Sequence, residues 1–201
     1  MIRKEEKTSV WTLPNRLSII RILFIPAIIL LISSQQGRLL FFSSLLFIIA
    51  GITDGLDGLI ARRMSMTTTL GLYLDPIADK LLVSSVLITL TYYHLVPLWV
   101  TITLVAREFL INGLRSFYAT EGIAIYPSFS GKLKTTLQII GISCILFSDS
   151  LRLMGTWVLF GSSLRLMGLI IIYGALFFSI YSAYNYVYAL FRYPQTDSTD
   201  G

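Results

Sequence analysis

Between Asp54 and Asp79 the chain reads DGLDGLIARRMSMTTTLGLYLDPIAD, placing four aspartates (Asp54, Asp57, Asp75 and Asp79) in segments otherwise apolar enough for a membrane. A carboxylate near a bilayer centre costs roughly 2.5 to 3.5 kcal/mol even on lenient insertion scales, so four of them require a compensating partner. Asp54 and Asp57 are three residues apart and Asp75 and Asp79 four apart, so on helices each pair shares a face. A short polar stretch around MSMTTT would join the two helices as an antiparallel hairpin and gather all four carboxylates. Unpaired, the four would repel one another. Divalent cations with hard oxygen ligands resolve the repulsion, and two Mg²⁺ or Mn²⁺ ions sharing the carboxylates are typical of phosphoryl chemistry. Gly58 lies one turn after Asp54, where a missing side chain lets a ligand approach the helix backbone. Arg62, a further turn along, can offer a phosphate a fork of donors.

A second polar set lies downstream. In AREFLINGLR, Arg107, Glu108, Asn112 and Arg115 recur along one helical stripe, and in SGKLKTTLQ the residues Lys132, Lys134, Thr135 and Gln138 supply cations and hydrogen-bonding groups at the same membrane face. Together they read as a second phosphate site, which a soluble acceptor carrying its own phosphate needs and a neutral one such as serine or choline does not. The structural alternatives are membrane anchoring for Lys132 and Lys134, and a buried ion pair tying helices together for Arg107 and Glu108.

The elements that must position these residues follow from composition. The chain has 201 residues, 55% of them hydrophobic and only 13% charged, with a mean hydropathy of +0.74. That is more apolar surface than a soluble core of this size could bury, so the fold class is all-α integral membrane. Apolar runs long enough for a span occur at about 16–34, 39–61, 72–93, 97–118, 133–150 and 164–191, predicting six transmembrane helices. Residues 1–15 are polar and end near Pro14, and read as a cytoplasmic or interfacial lead-in; 16–192 form the transmembrane domain, and 193–201 a polar tail. No small-x-small cleavage site follows the first apolar run, so it is expected to be retained as a span.

Arg3, Lys4, Lys7, Arg16, Arg62, Arg63, Arg115, Lys132, Lys134 and Arg192 fall on one side of the predicted bundle, and Arg38, Arg152 and Arg165 on the other. By the positive-inside rule both termini and the aspartate cluster face the cytoplasm, and the chain is expected in the inner (cytoplasmic) cell membrane as a multi-pass protein. Cys144 lies in an apolar run and reads as a packing residue, His94 as a loop residue in the break TYYHLVP, and Pro76 as a bend. The tyrosine-rich last span suits the membrane interface.

The set Asp54, Asp57, Gly58, Ala61, Arg62, Gly71, Asp75 and Asp79, with eight residues between Arg62 and Gly71, resembles the signature of the CDP-alcohol phosphotransferases at every fixed position. Members have six transmembrane helices and transfer a phosphatidyl or related unit from a CDP-linked donor to an alcohol, releasing CMP. The resemblance implies that Asp54, Asp57 and Asp75 bind a metal pair and that Asp79 is both ligand and general base. It further implies that Gly58, Ala61, Arg62, Thr68 and Gly71 line the site of CDP-diacylglycerol, together with Asn15, Ser18 and Arg21 from the start of the first helix. Ser18 stands where threonine is common and keeps the hydroxyl.

The REFLINGLR and GKLKTTLQ strings are similar to those of bacterial members whose acceptor is sn-glycerol 3-phosphate. This implies a product of phosphatidylglycerol phosphate, with Arg107, Arg115, Lys132, Lys134 and Thr135 at the acceptor. Membrane lipid and a second copy of the chain are the other expected partners, with no nucleic acid. A cardiolipin synthase or an inositol-phosphate-type transferase of the same superfamily is the rival; Lys134 and Arg115 favour the small anionic acceptor. A small cation or proton transporter also places acids in a membrane, but a proton relay has no use for the glycine, alanine and arginine pattern.

Overall fold

The computed structural model describes residues 13–64, 69–120, 129–155 and 157–192, and the side-chain surroundings within them at 19–53, 77–78, 80–118, 131, 133–155 and 157–188. These residues form six helices and, among them, no strand: α1 (Leu13–Ser33), α2 (Gly37–Met64), α3 (Thr69–Tyr92), α4 (Leu98–Thr120), α5 (Phe129–Leu153) and α6 (Val158–Arg192). α1 is the shortest at 21 residues, which at about 1.5 Å per residue matches the roughly 30 Å hydrocarbon thickness of a bilayer. Among the described residues, two stretches, Leu133–Leu153 and Val158–Tyr188, are long and apolar enough to cross a membrane, and the described parts of three further helices, Ile19–Ser33, Gly37–Thr53 and Lys80–Tyr92, are apolar.

Each expected span corresponds to one helix, with shifted ends. α1 begins at Leu13, so Pro14 sits in a first helical turn, where its missing N–H costs nothing, and not in a turn before the helix. α5 begins at Phe129, which brings Lys132 and Lys134 inside the helix.

Three helices end in left-handed caps at the same end of the bundle. Gln35 (φ 51°) follows α1, His94 (φ 56°) follows α3 and Gly155 (φ 68°) follows α5. The amide of His94 donates to the Thr91 carbonyl at 3.0 Å and that of Leu95 to the Leu90 carbonyl at 2.9 Å, closing the last turn of α3. Tyr93 Oη donates to the Ser33 carbonyl (3.4 Å), and Arg165 Nη2 to the His94 carbonyl (3.2 Å). A Cβ built on Gly37 would lie 2.8 Å from the Ser150 carbonyl oxygen. The C-terminal ends of α1, α3 and α5 thus gather at one end of the bundle, and the aspartate-bearing ends of α2 and α3 lie at the other.

The core draws on every helix, with Ile28, Phe47, Leu87, Leu104, Ile145 and Ile172 almost fully buried. α5 and α6 approach most closely at two glycines. A Cβ on Gly168 would stand 2.8 Å from Ile145 Cγ1, 3.1 Å from Cys144 Cβ and 3.1 Å from the Gly141 carbonyl oxygen, and one on Gly141 would stand 3.1 Å from the Gly168 carbonyl oxygen. Such small residues allow backbone-to-backbone packing of helices in lipid, and Cys144 is part of that packing. Buried hydroxyls turn back on their own helix: Ser43 Oγ donates to the Leu40 carbonyl at 2.8 Å and Ser150 Oγ to the Phe147 carbonyl at 2.7 Å. Outside, large apolar side chains such as Leu30, Phe42, Ile102, Leu110, Ile170 and Phe177 stand exposed on α1, α2, α4 and α6. So broad an apolar exterior suits lipid rather than water, and the chain is a membrane protein.

Candidate active site

The aspartate motif lies across the hairpin between α2 and α3. Asp54, Asp57, Gly58, Ala61 and Arg62 fall on the last turns of α2, and Gly71, Asp75 and Asp79 on the first turns of α3, with only residues 65–68 between the two helices. The expected pairing of i,i+3 and i,i+4 carboxylates along helices therefore agrees with the backbone. The surroundings of these side chains lie outside the described residues, as do Thr68 and the side chains of Asn15, Ser18 and Lys132. Among the described side chains no three His, Cys, Asp or Glu come together. The fit of a metal rests on the donor set itself: four carboxylates on two hairpin-linked helices are hard oxygen ligands suited to divalent cations of the Mg²⁺ or Mn²⁺ kind. Arg21, on α1, is buried (3% exposed).

Immediately after Asp79 the described side chains form a second cluster. Lys80 Nζ of α3 lies 3.1 Å from Glu108 Oε1 of α4. The other carboxylate oxygen, Oε2, takes Arg107 at 3.4 Å and also pairs with Lys134 of α5. One carboxylate thus joins three helices and three cations. Arg107 Nε also donates to the Ser179 carbonyl of α6 at 2.9 Å, tying in a fourth helix. Lys134 and Gln138 are buried, and Thr135 Oγ1 turns back to the Gly131 carbonyl at 3.4 Å. Lys80, Ser84, Val105, Glu108, Thr135 and Gln138 line a narrow cleft between α3, α4 and α5.

Arg115 lies two turns beyond Arg107 on α4, within electrostatic range of it, and beside Tyr186 of α6 and Tyr118. Its Nε is buried without a hydrogen-bond partner. The structure therefore brings Arg107 and Lys134 to one carboxylate, that of Glu108, and Thr135 to the cleft beside it, with Arg115 farther along α4. The ion-pair alternative for Arg107 and Glu108 also has a physical counterpart here, since their contact is part of a wider ionic cluster.

Three residues of this region were not among the expected site residues. Lys80 is hidden in sequence as the residue after the motif, and the signal for it is its position one step beyond Asp79. Glu108 is legible as part of the α4 stripe, but its partners on α3 and α5 are not. Tyr186 is one of several tyrosines in the last span; it is buried while Tyr184 and Tyr188 stack on each other at the surface with ring centroids 6.1 Å apart.

A model of the CDP-alcohol phosphatidyltransferase family matches residues 11–181. The chain is similar to the CDP-diacylglycerol–glycerol-3-phosphate 3-phosphatidyltransferase of Bacillus subtilis, at 40% identity over 151 residues, 69% of this chain and 78% of that protein. The same-named protein of Rickettsia bellii is 44% identical over 139 residues (68% and 76%). That of Escherichia coli K12 is 34% identical over 147 residues (70% and 80%).

Proposed function

The chain belongs to the CDP-alcohol phosphatidyltransferase family, and we propose that it transfers the phosphatidyl group of CDP-diacylglycerol to sn-glycerol 3-phosphate, giving phosphatidylglycerol phosphate and CMP. The activity for which its relatives are named supports this reading. The observation that carries it to a phosphorylated acceptor is the ionic cluster itself. Lys80 follows Asp79 directly in α3 and shares the Glu108 carboxylate with Arg107 and Lys134, so three cations gather beside the aspartate motif, where an acceptor phosphate must sit.

In the reaction the acceptor hydroxyl oxygen attacks the β-phosphorus of the donor. The bond from that phosphorus to the bridging oxygen breaks, and CMP leaves with the bond's electrons. Asp79 takes the proton from the attacking hydroxyl. Asp54, Asp57, Asp75 and Asp79 would hold two divalent ions, which when bound supply charge neutralisation for the pyrophosphate and the departing phosphate. Gly58 and Ala61 leave the α2 backbone open to the nucleotide, and Arg62, Thr68, Gly71, Asn15, Ser18 and Arg21 complete its contacts. Arg107, Arg115, Lys132, Lys134 and Thr135 bind the acceptor phosphate and hold its hydroxyl in line.

The six helices are all spans in this reading, with the α2–α3 hairpin and the α4–α5 connection on the cytoplasmic side of the inner membrane. The lipid-facing apolar residues of α3 to α6 provide the surface for a homodimer. Incubation of the purified chain with CDP-diacylglycerol and glycerol 3-phosphate, followed by mass spectrometry of the lipids, tests the proposal. Phosphatidylglycerol phosphate is the expected product, and its absence while CDP-diacylglycerol is consumed would assign a different acceptor.

A further inference from the structure

Glu108 receives more positive charge than a helix tie needs. Its Oε1 takes Lys80 at 3.1 Å, while Oε2 takes Lys134 and, at 3.4 Å, Arg107. One cation would neutralise the carboxylate, yet three converge on it. Both lysines meet the same carboxyl group from opposite oxygens, so the positions of their ammonium groups are set by one planar acceptor. The side chains involved are shielded, at 21% exposure for Lys80, 13% for Glu108 and 4% for Lys134, and the narrow cleft beside them is lined by Ser84, Thr135 and Gln138. Without the carboxylate, two ammonium groups and a guanidinium would repel one another in a confined space and turn apart.

We propose that Glu108 is a positioning residue of the acceptor site, acting through Lys80 and Lys134, and that Lys80 is thereby a further cation of that site. The inference rests on the acceptor reading above. Glu108 touches no reacting atom; it fixes where the two lysines stand when the phosphate of glycerol 3-phosphate arrives.

The test is saturation kinetics of the purified full-length protein for both substrates, with wild type, Glu108→Gln, Glu108→Asp and Lys80→Gln, alongside thermal unfolding of each. Glu108→Gln keeps the shape and removes the charge. It is expected to raise KM for glycerol 3-phosphate by about 10-fold while KM for CDP-diacylglycerol stays within about 2-fold, with Glu108→Asp recovering part of the loss. Lys80→Gln is expected to show the same selective rise, and it decides the question if Glu108→Gln does not fold. A glycerol 3-phosphate KM that is unchanged or lower in Glu108→Gln, or unchanged in Lys80→Gln, would overturn the inference. Wild-type protein that releases no CMP with glycerol 3-phosphate would overturn the acceptor reading instead.

Discussion

Lys134 of α5 and Glu108 of α4 form an ion pair with side chains only 4% and 13% exposed. A pair this shielded is expensive to assemble and more expensive to break, because removing one partner strands the other away from water.

The two lysines at the start of α5 should consequently separate in their effects. Replacing Lys132 and Lys134 together with Ala should raise KM for glycerol 3-phosphate by about 10-fold or more with much less change for the lipid. Lys134→Ala alone should also lower stability by about 1 to 3 kcal/mol, less than for a fully orphaned buried charge because Lys80 and Arg107 still face Glu108. Thermal unfolding in detergent reads the second effect, and an unchanged acceptor KM in the double variant would return both lysines to membrane anchoring.

Asp79 stands on α3 one residue before Lys80, at the junction of the aspartate motif and the cation cluster. Asp79→Asn should reduce turnover by about 100-fold or more, since it removes both a ligand and the proton acceptor. The variant should unfold at the wild-type temperature. Normal turnover would remove the general-base assignment.

Removal of divalent ions should stop the reaction. Dialysis against excess chelator is expected to abolish CMP release, and Mg²⁺ or Mn²⁺ to restore it. Activity that persists in chelator would contradict metal binding by the four carboxylates.

The glycine contact between α5 and α6 predicts a purely structural variant. Gly168→Leu would drive a side chain into Ile145, Cys144 and the Gly141 backbone, and should cost about 1 to 3 kcal/mol, the usual range for overpacking. The midpoint of thermal unfolding should fall. An unchanged midpoint would mean the helices separate there without cost.

The placement of the aspartate motif on two hairpin-linked helices was legible because its information is local. Asp54 and Asp57, then Asp75 and Asp79, are spaced by helical turns on two helices joined by a short hairpin, so periodicity alone predicts which residues share a face. Helix number was legible for the same reason, since each apolar run matches one helix. The ionic cluster is assembled across three helices, and no spacing announces that Lys80, Glu108 and Lys134 meet. The charge asymmetry of the ends also has a finer texture than a count of cations conveys. At the end where the C-terminal ends of α1, α3 and α5 gather, Arg152 is held by Asp149 at 2.7 Å and Arg165 by the His94 carbonyl.

The most direct measurement is CMP release by the purified protein given CDP-diacylglycerol and Mg²⁺ or Mn²⁺, comparing glycerol 3-phosphate, phosphatidylglycerol, inositol phosphate and no acceptor. Release that depends on glycerol 3-phosphate alone is the predicted result. Release that depends on phosphatidylglycerol or inositol phosphate would contradict the acceptor assignment. No CMP release with any acceptor, while ions cross vesicles containing the protein, would return the aspartate cluster to a transport role.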